Sequence, residues 1–456
     1  MYFKGFNAAE LYNGPDQSAY LVSLFQLAGQ MGMYFFWTDT NYGGANGMML
    51  NYMESNSAFL PTMKANAQNL VFMNKESFAT NGTDALNKGL WLTGYIGNWG
   101  SSTDWWHWGI DGQGVFPGGS GGQDWKYILQ YPQGLQMQSI VRDISQGATA
   151  FLAEASFFSN GALGHRYAPA QFGMYPLLHD VVRGRIQIPS RAQVAAQTKA
   201  IAKGKANFTT PRWDTSVNDA MAVDGRYGLL PLVPTTMPNA DLAGYNVITA
   251  PQPQSYYDGL YPGFASSGDG WLVRTDTASR QWFYTNPYMW VQRSTSSTFA
   301  PSNLPGTSVT ISSAEHTSVI VQENATSLGF HVYNYRLNLT NALSTVVDKS
   351  TTFDFGQNYM APVLDSAGNP VVNPDGSVPT VGGFTLPDRT FRDVRNVTIA
   401  IVGTWNGGQP VVVFDDYVGQ TRPYTQTQTW NGSTHTLVLS LTMNGMCNFN
   451  IKVNAT

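Results

Sequence analysis

Apolar positions along this chain follow two different rhythms, and the change comes near residue 190. In the first part, short β-prone runs alternate with stretches whose apolar residues recur every three or four positions. Residues 2–9 (YFKGFNAA) read as a strand ending at Glu10, and Asn13-Gly-Pro-Asp16 forms a turn with Asp16 placed to cap a helix. Tyr20, Leu21, Leu24, Leu27, Ala28 and Met31 predict that helix through to Gly32. A second strand is expected over 33–38, before Asp39, and helices around 47–54 and 57–67. A third strand, 69–73, leads into Asn74-Lys75-Glu76. Leu90–Ile96 (LWLTGYI) predicts a buried fourth strand. Helices near 123–130 and 133–146 precede a fifth, 148–153, which ends at Glu154, and a helix around 169–184 closes the series.

Strand and helix in alternation, with polar residues at the strand ends, predict a (β/α)8-type barrel, whose chemistry sits at the C-terminal ends of its strands. Glu10, Asp39, Glu76, Asp104 and Glu154 all fall there. Five such units precede residue 190 where a closed barrel has eight, and no leader segment precedes them, so the expectation is a barrel missing its first strands. Past 190 a short helix, SRAQVAAQTKA, follows Pro189. Residues 207–262 are rich in Pro, Gly and Asn and read as irregular. Short β-prone runs then recur at 270–274, 281–284, 308–312, 317–322, 328–339, 397–403, 411–414, 435–441 and 447–453, the pattern of an antiparallel β-sandwich. The expected domains are therefore a barrel over 1–206, an irregular segment over 207–262 and a sandwich over 263–456.

Composition narrows the chemistry. Charged residues are only 12% of the chain, while aromatics reach 13%, which suits a protein that grips neutral, hydroxyl-rich ligands. A net charge of −4 gives no reason to expect nucleic acid or an anionic membrane surface as a partner. No run of 18 apolar residues marks a membrane span. Cys447 is the single cysteine, so neither an internal disulfide nor a CxxC metal site can form. Six histidines show no HExxH or similar spacing, and no phosphate-binding glycine loop stands between a strand and a helix, so neither a metal nor a cofactor is expected. Seven Asn-x-Ser/Thr sequons, at Asn81, Asn207, Asn324, Asn338, Asn396, Asn431 and Asn454, favour an extracellular, glycosylated protein. Nothing in the chain sets its oligomeric state.

The densest signal is Leu90–Gly109 (LWLTGYIGNWGSSTDWWHWG), with five tryptophans between Trp91 and Trp108 around one carboxylate, Asp104. Indole faces beside a carboxylate suit a sugar, which stacks its C–H face and presents its hydroxyls to acceptors; a tryptophan-rich core corner is the plainer reading. Glu10 follows a charge-poor run, an environment that raises a carboxyl pKa as a general acid requires. Glu154 lies in an apolar stretch, FLAEA, and with Asp104 forms a pair suited to deprotonating a water. Trp37, Asp39, Asn74, Lys75, Tyr95, Asn98, Trp99, Trp105, Trp106 and His107 are the candidate sugar contacts. Gly118–Gly122 matches G-x-S-x-G around Ser120, but no strand leads into it, so a mobile loop over the cleft is expected there rather than a nucleophile.

Several stretches together resemble glycoside hydrolase family 98: GFNAAELYNG, YFFWTDTNYGG, NLVFMNKES, the tryptophan-rich segment, GATAFLAEA and IPSRAQV, with GFHVYNYRLNLTNAL and TIAIVGTWNGGQPVVV in the sandwich. The resemblance implies an inverting endo-glycosidase on a (β/α)8 barrel followed by a β-sandwich. It implies Glu10 as the acid and Asp104 with Glu154 as the base pair. It also implies an oligosaccharide or polysaccharide substrate, either β-xylosidic bonds of decorated xylan or β-galactosidic bonds of blood-group-type glycans. The neutral, tryptophan-lined groove tilts this reading towards xylan, with a non-catalytic glycan-binding protein as the competing class.

Overall fold

The computed structural model describes residues 4–8, 16–38, 48–76, 81–103, 140–141, 143–153, 175–204, 230–249, 271–274, 281–285, 295–313, 317–334, 360–362, 380–382, 395–403, 408–415, 424–443 and 445–453. The chain divides into two compact units. The first comprises Met1–Asp104, Asp143–Glu154 and Ile188–Gly263, and the second Trp105–Arg142, Ala155–Gln187 and Phe264–Thr456.

The first unit opens β1 (Gly5–Ala8), α1 (Ser18–Met31), β2 (Tyr34–Trp37), α2 (Met48–Ser55), α3 (Phe59–Ala65), β3 (Leu70–Glu76), α4 (Asn81–Leu92), β4 (Asn98–Thr103) and β5 (Ala150–Ala153). The five strands form one sheet in sequential order, every neighbouring pair parallel. Helix α1 begins where Asp16 accepts a hydrogen bond from the Ser18 amide (2.7 Å), and Gly32 ends it in the left-handed conformation at φ 60°. Its buried stripe, Leu21, Phe25 and Ala28, faces the sheet. Phe25 packs edge-on against Phe35 and Phe59, both at 5.3 Å between ring centres, and lies 6.0 Å from Phe72. Each fully buried phenylalanine of this cluster contributes roughly 1.5–3 kcal/mol of transfer free energy.

Leu90–Ile96 is not a strand, contrary to the sequence expectation. Leu90–Leu92 form the last turn of α4, residues 93–97 turn back, and the strand begins at Asn98. The run is apolar on all sides because α4 is covered twice, by β3 and β4 and by a later strand, β7. Ala85, Leu86 and Leu90, all fully buried, supply the helical spacing upstream of the apparent strand. Arg191 locks the turn: its guanidinium donates to the carbonyls of Ile96 (2.8 Å) and Gly97 (3.2 Å) and lies over the Trp91 ring.

Helix α5 (Tyr175–Val182) belongs to the second unit; α6 (Arg191–Gln197), β6 (Ala200–Gly204), β7 (Leu232–Pro234) and β8 (Asn246–Ile248) return to the first. A full capping box, Ser190 with Gln193, starts α6. Strands β6–β8 make a second small parallel sheet in the order β7-β6-β8, and β7 and β8 fall within 207–262, where an irregular segment was expected. With three to five residues each, these strands are too short to show a period in the sequence. Gly89 is the point of closest approach between α4 and β7: a Cβ there would lie 1.9 Å from the Leu232 carbonyl oxygen.

In the second unit the strands are β9 (Trp271–Arg274), β10 (Gln281–Thr285), β11 (Thr295–Phe299), β12 (Ser308–Ser313), β13 (Ser318–Glu323), β14 (Ser327–Asn334), β15 (Met360–Pro362), β16 (Thr380–Gly382), β17 (Arg395–Val402), β18 (Val411–Phe414), β19 (Tyr424–Asn431), β20 (Thr436–Met443) and β21 (Gly445–Lys452). Six of them pair in the order β18-β21-β14-β13-β10-β9 and five in the order β11-β12-β17-β20-β19, all antiparallel. One core joins the two sheets, with Val319, Phe330, Ile399, Leu439 and Ile451 among its members. Strict alternation builds it: in β20, Leu437, Leu439, Leu441 and Met443 face in while Thr and Ser face out. Glu323 is buried and fully engaged, accepting from Trp282 Nε1 (2.7 Å), the Ser302 amide (2.9 Å) and hydroxyl (2.7 Å) and the Asn303 amide (3.1 Å). No helix among the described residues is long and apolar enough to cross a membrane.

Candidate active site

The C-terminal ends of β1–β5 lie along one edge of the sheet, because all five strands run the same way. Asn7, Phe36 and Val71 are register partners across β1–β3, and Val71 pairs in turn with Asn98 on β4. These four residues, with Tyr34, Thr38, Met73, Thr149, Ala150 and Phe151, line one cavity of about 510 Å³. All five strands contribute residues to this one cavity. On the floor, Asn98 Oδ1 accepts a hydrogen bond from the Thr149 hydroxyl at 3.0 Å. Asn7 and Thr149 were not singled out in the sequence; the signal was a polar residue inside an otherwise apolar strand run.

The candidate residues divide into three groups. Glu10, Asp39, Asp104, Trp105, Trp106, His107 and Glu154 lie outside the described residues, as does Ser120. The strands leading to them are described: Glu10 and Asp39 come two residues after the paired Ala8 and Trp37, and Asp104 and Glu154 come directly after the paired Thr103 and Ala153. Asn74 and Lys75 belong to the last three residues of β3, opposite Ser101 and Ser102. Asn98 lines the cavity.

Three candidates are corrected. Trp37 is 1% exposed, with its ring edge-on to Phe72 at 5.3 Å, and Trp99 is fully buried. Each alternates with a cavity-lining neighbour, Phe36 or Asn98, and so points to the helix-covered face of the sheet, where a sugar cannot stack. Tyr95 precedes β4, at the opposite end of the sheet from the strand C-termini; its hydroxyl donates to Asp241 at 2.6 Å. Burial first, then the Asp241 bond and charge, raise the Tyr95 pKa, while hydrogen bonds from Lys64 and then Tyr95 lower that of Asp241. Trp37, Trp99 and Tyr95 are thus structural. Among the described residues no group of His, Cys, Asp and Glu has the geometry to hold a metal ion.

A parallel sheet with acidic residues following its strand ends, together with a two-sheet antiparallel sandwich, places the chain in the class of α/β catalytic domains joined to an all-β partner. The sequence matches the model of glycosyl hydrolase family 98 over residues 1–186 and that of the glycosyl hydrolase family 98 C-terminal domain over 191–454. The chain belongs to this family of glycoside hydrolases. It is 23% identical over 351 residues to the blood-group-substance endo-1,4-beta-galactosidase of Clostridium perfringens, a match covering 69% of this chain and 41% of that protein. The chain thus spans about two fifths of the length of this relative. The catalytic module of a family 98 glycoside hydrolase from Streptococcus pneumoniae TIGR4, in complex with the H-disaccharide blood group antigen, superposes with a TM-score of 0.70 at 18% identity, over 98% of this chain and 79% of that one. The same module in complex with the LewisY pentasaccharide blood group antigen gives 0.69 at 19%, with the same coverage.

Proposed function

We propose that this chain is an inverting endo-glycosidase that cleaves β-galactosidic bonds within blood-group-type glycans, and that β1–β5 are part of a (β/α)8 barrel. A register count carries the proposal. Asn7 on β1 shares a register row with Asn98 on β4. Glu10 is three residues past Asn7, and Asp104 is six past Asn98. Around an eight-stranded barrel the strands tilt so that constant height advances by about one residue per strand. In such a barrel the three-residue offset equals the advance over three strand steps, which supports pairing Glu10 with Asp104. Thr103 and Ala153 are register partners on neighbouring strands, and Asp104 and Glu154 directly follow them in the sequence, which supports reading the two as a pair.

Flat, the four strand steps from β1 to β5 would span roughly 19 Å. In a closed barrel those ends would be brought nearer the ~6.5–9.5 Å that an inverting pair of carboxyls requires. In this reading Glu10 protonates the glycosidic oxygen as the C1–O bond breaks. Asp104 and Glu154 take a proton from a water whose oxygen attacks C1 from the opposite face. One proton is given to the leaving group and one is taken from water, and the configuration at C1 inverts.

The galactosidic substrate is supported by the endo-1,4-beta-galactosidase activity of the Clostridium relative and by the antigens bound to the Streptococcus module. The tilt towards xylan rests on a neutral, tryptophan-lined groove, and two of the tryptophans expected there, Trp37 and Trp99, are buried, while Trp105 and Trp106 lie outside the described residues. A glycan substrate of this kind would be met outside the cell, which supports an extracellular location. Glu10→Gln tests the assignment: turnover of a blood-group-type oligosaccharide should fall by at least about 10³-fold with binding retained. Equal loss of binding and turnover, or cleavage of xylan alone, would overturn it.

A further inference from the structure

We propose that the second unit carries a binding site of its own on the outer face of the six-stranded sheet: an amide-lined pocket, opened by Gly329, that takes one neutral, hydroxyl-rich sugar unit. The pocket encloses about 280 Å³ between the sheet and the segment 184–187 that follows α5. Its ligand class follows from the lining chemistry and does not depend on the cleavage reaction proposed for the first unit.

Gly329 sits in the middle of β14, between Gln322 on β13 and Asn450 on β21. Its φ lies outside the left-handed range, so the backbone does not call for glycine there. The reason is space: a Cβ would stand 3.1 Å from Asn450 Oδ1 and 3.5 Å from Asn324 Nδ2. Glycine inside a strand forgoes packing and costs backbone entropy, and it commonly marks a close approach by a ligand or another chain. Here glycine makes room for the Asn450 and Asn324 amides to converge over the strand, and all three residues line the pocket.

The walls are rigid. Asp180, fully buried, accepts hydrogen bonds from Tyr333 Oη (3.0 Å) and Asn448 Nδ2 (3.2 Å) and lies 3.2 Å from His331 Nδ1, which also lies 3.2 Å from Asn448 Oδ1. His331 and Asn448 both line the pocket and are fixed by this cluster. On the other side Gln281 clamps the covering segment, accepting from the Gln187 amide (3.1 Å) and donating to the Gln187 carbonyl (2.7 Å).

Gln322, Asn324 and Asn450 project around the opening that Gly329 leaves. A side-chain amide both donates and accepts, as does each hydroxyl of a vicinal diol, so paired amides read paired hydroxyls. Among the described residues, no hydrogen bond engages the side-chain amide of Asn324 or Asn450. The cation at the mouth, Arg185, is neutralised by Asp415 at 3.1 Å and by Asp180 at 3.6 Å. That balance disfavours phosphate, sulfate and ammonium ligands and leaves a neutral one. Phe330 and Phe449 turn their rings into the core, so no aromatic face is offered for stacking and hydrogen bonds alone set a weak affinity.

The test is calorimetric titration of the full chain with methyl β-galactoside, L-fucose and D-xylose, with inorganic phosphate as the charged control. The expected result is binding of at least one sugar with a Kd on the order of millimolar, no binding of phosphate, and weakening by about tenfold in each of Asn450→Ala and Gln322→Ala. Gly329→Ala should weaken it further; its thermal melt, compared with wild type, separates a filled pocket from a misfolded strand. The Glu10→Gln chain should bind equally well at this site, so a failed cleavage assay leaves the result standing. Absence of sugar binding by the wild type, binding undiminished in both amide variants, or competition by phosphate would overturn the proposal.

Discussion

Asp180→Asn changes almost no volume and removes one buried charge, so its cost isolates what that charge contributes. The carboxylate has no solvent exposure and holds Tyr333, Asn448 and His331 through one oxygen, while Arg185 lies 3.6 Å from the other. Burial by itself raises the Asp180 pKa, but the hydrogen bond and charge of His331, then the bonds from Tyr333 and Asn448, outweigh it and leave the pKa below its ordinary 3.8. Hydrogen bonds to a charged partner contribute about 1.5–3 kcal/mol each and neutral ones about 1, and the amide would turn a donor towards at least one of the three. Because the three share one acceptor and do not add, the expected loss is about 2–4 kcal/mol; Arg185, 41% exposed, adds little.

The assay is guanidinium unfolding of wild type and variant as a function of pH. A folded-state pKa below the unfolded value means that the contribution is complete above about pH 4 and is lost as pH falls through the depressed folded value. The gap between wild type and variant should therefore shrink as pH falls below about 4. A gap under about 0.5 kcal/mol at neutral pH, or one unchanged in acid, would refute the reasoning.

Three further outcomes are expected. Glu323→Ala strands the Trp282 indole N–H and the amides of Ser302 and Asn303, and should cost about 2–4 kcal/mol with a red shift of tryptophan emission; an unchanged melt would refute it. Gly89→Ala, which in an ordinary helix interior stabilises by about 1 kcal/mol, should instead destabilise by at least that much, because β7 fills the space; a raised melting temperature would contradict the packing described here. Trp99→Phe should lower stability but leave KM for oligosaccharide unchanged, whereas a selective rise in KM would return Trp99 to the cleft.

Sequence rhythm located most elements because burial imposes it. The alternation in 308–312 and 435–441 appears in the structure as sandwich strands, and the spacing over 20–31 as a packed helix, although of the residues that predicted it Leu21 and Ala28 are buried while Tyr20, Leu27 and Met31 are exposed. Where an element is buried on every side, the rhythm disappears, and the apolar end of α4 was read as a strand. Where neither face is buried, it disappears again: β19 (YTQTQTWN) alternates one polar residue with another and escaped notice. Of the tryptophan cluster, Trp91 and Trp99 are buried, while Trp105, Trp106 and Trp108 lie outside the described residues. Density of indoles does not say which face of a strand each occupies, and one residue of register puts Trp99 in the core and Asn98 in the cavity. The acidic residues at strand ends were legible because connectivity fixes them there, whatever the errors in the intervening helices.

The anomeric configuration of the first product tests the central claim most directly. Proton NMR during cleavage of a β-galactosidic blood-group-type oligosaccharide should show the α-anomer first, followed by slow mutarotation, with no signal from the Glu10→Gln chain. Initial appearance of the β-anomer, or cleavage that persists in Glu10→Gln, would contradict an acid at Glu10 acting across the cavity from a water held by Asp104 and Glu154.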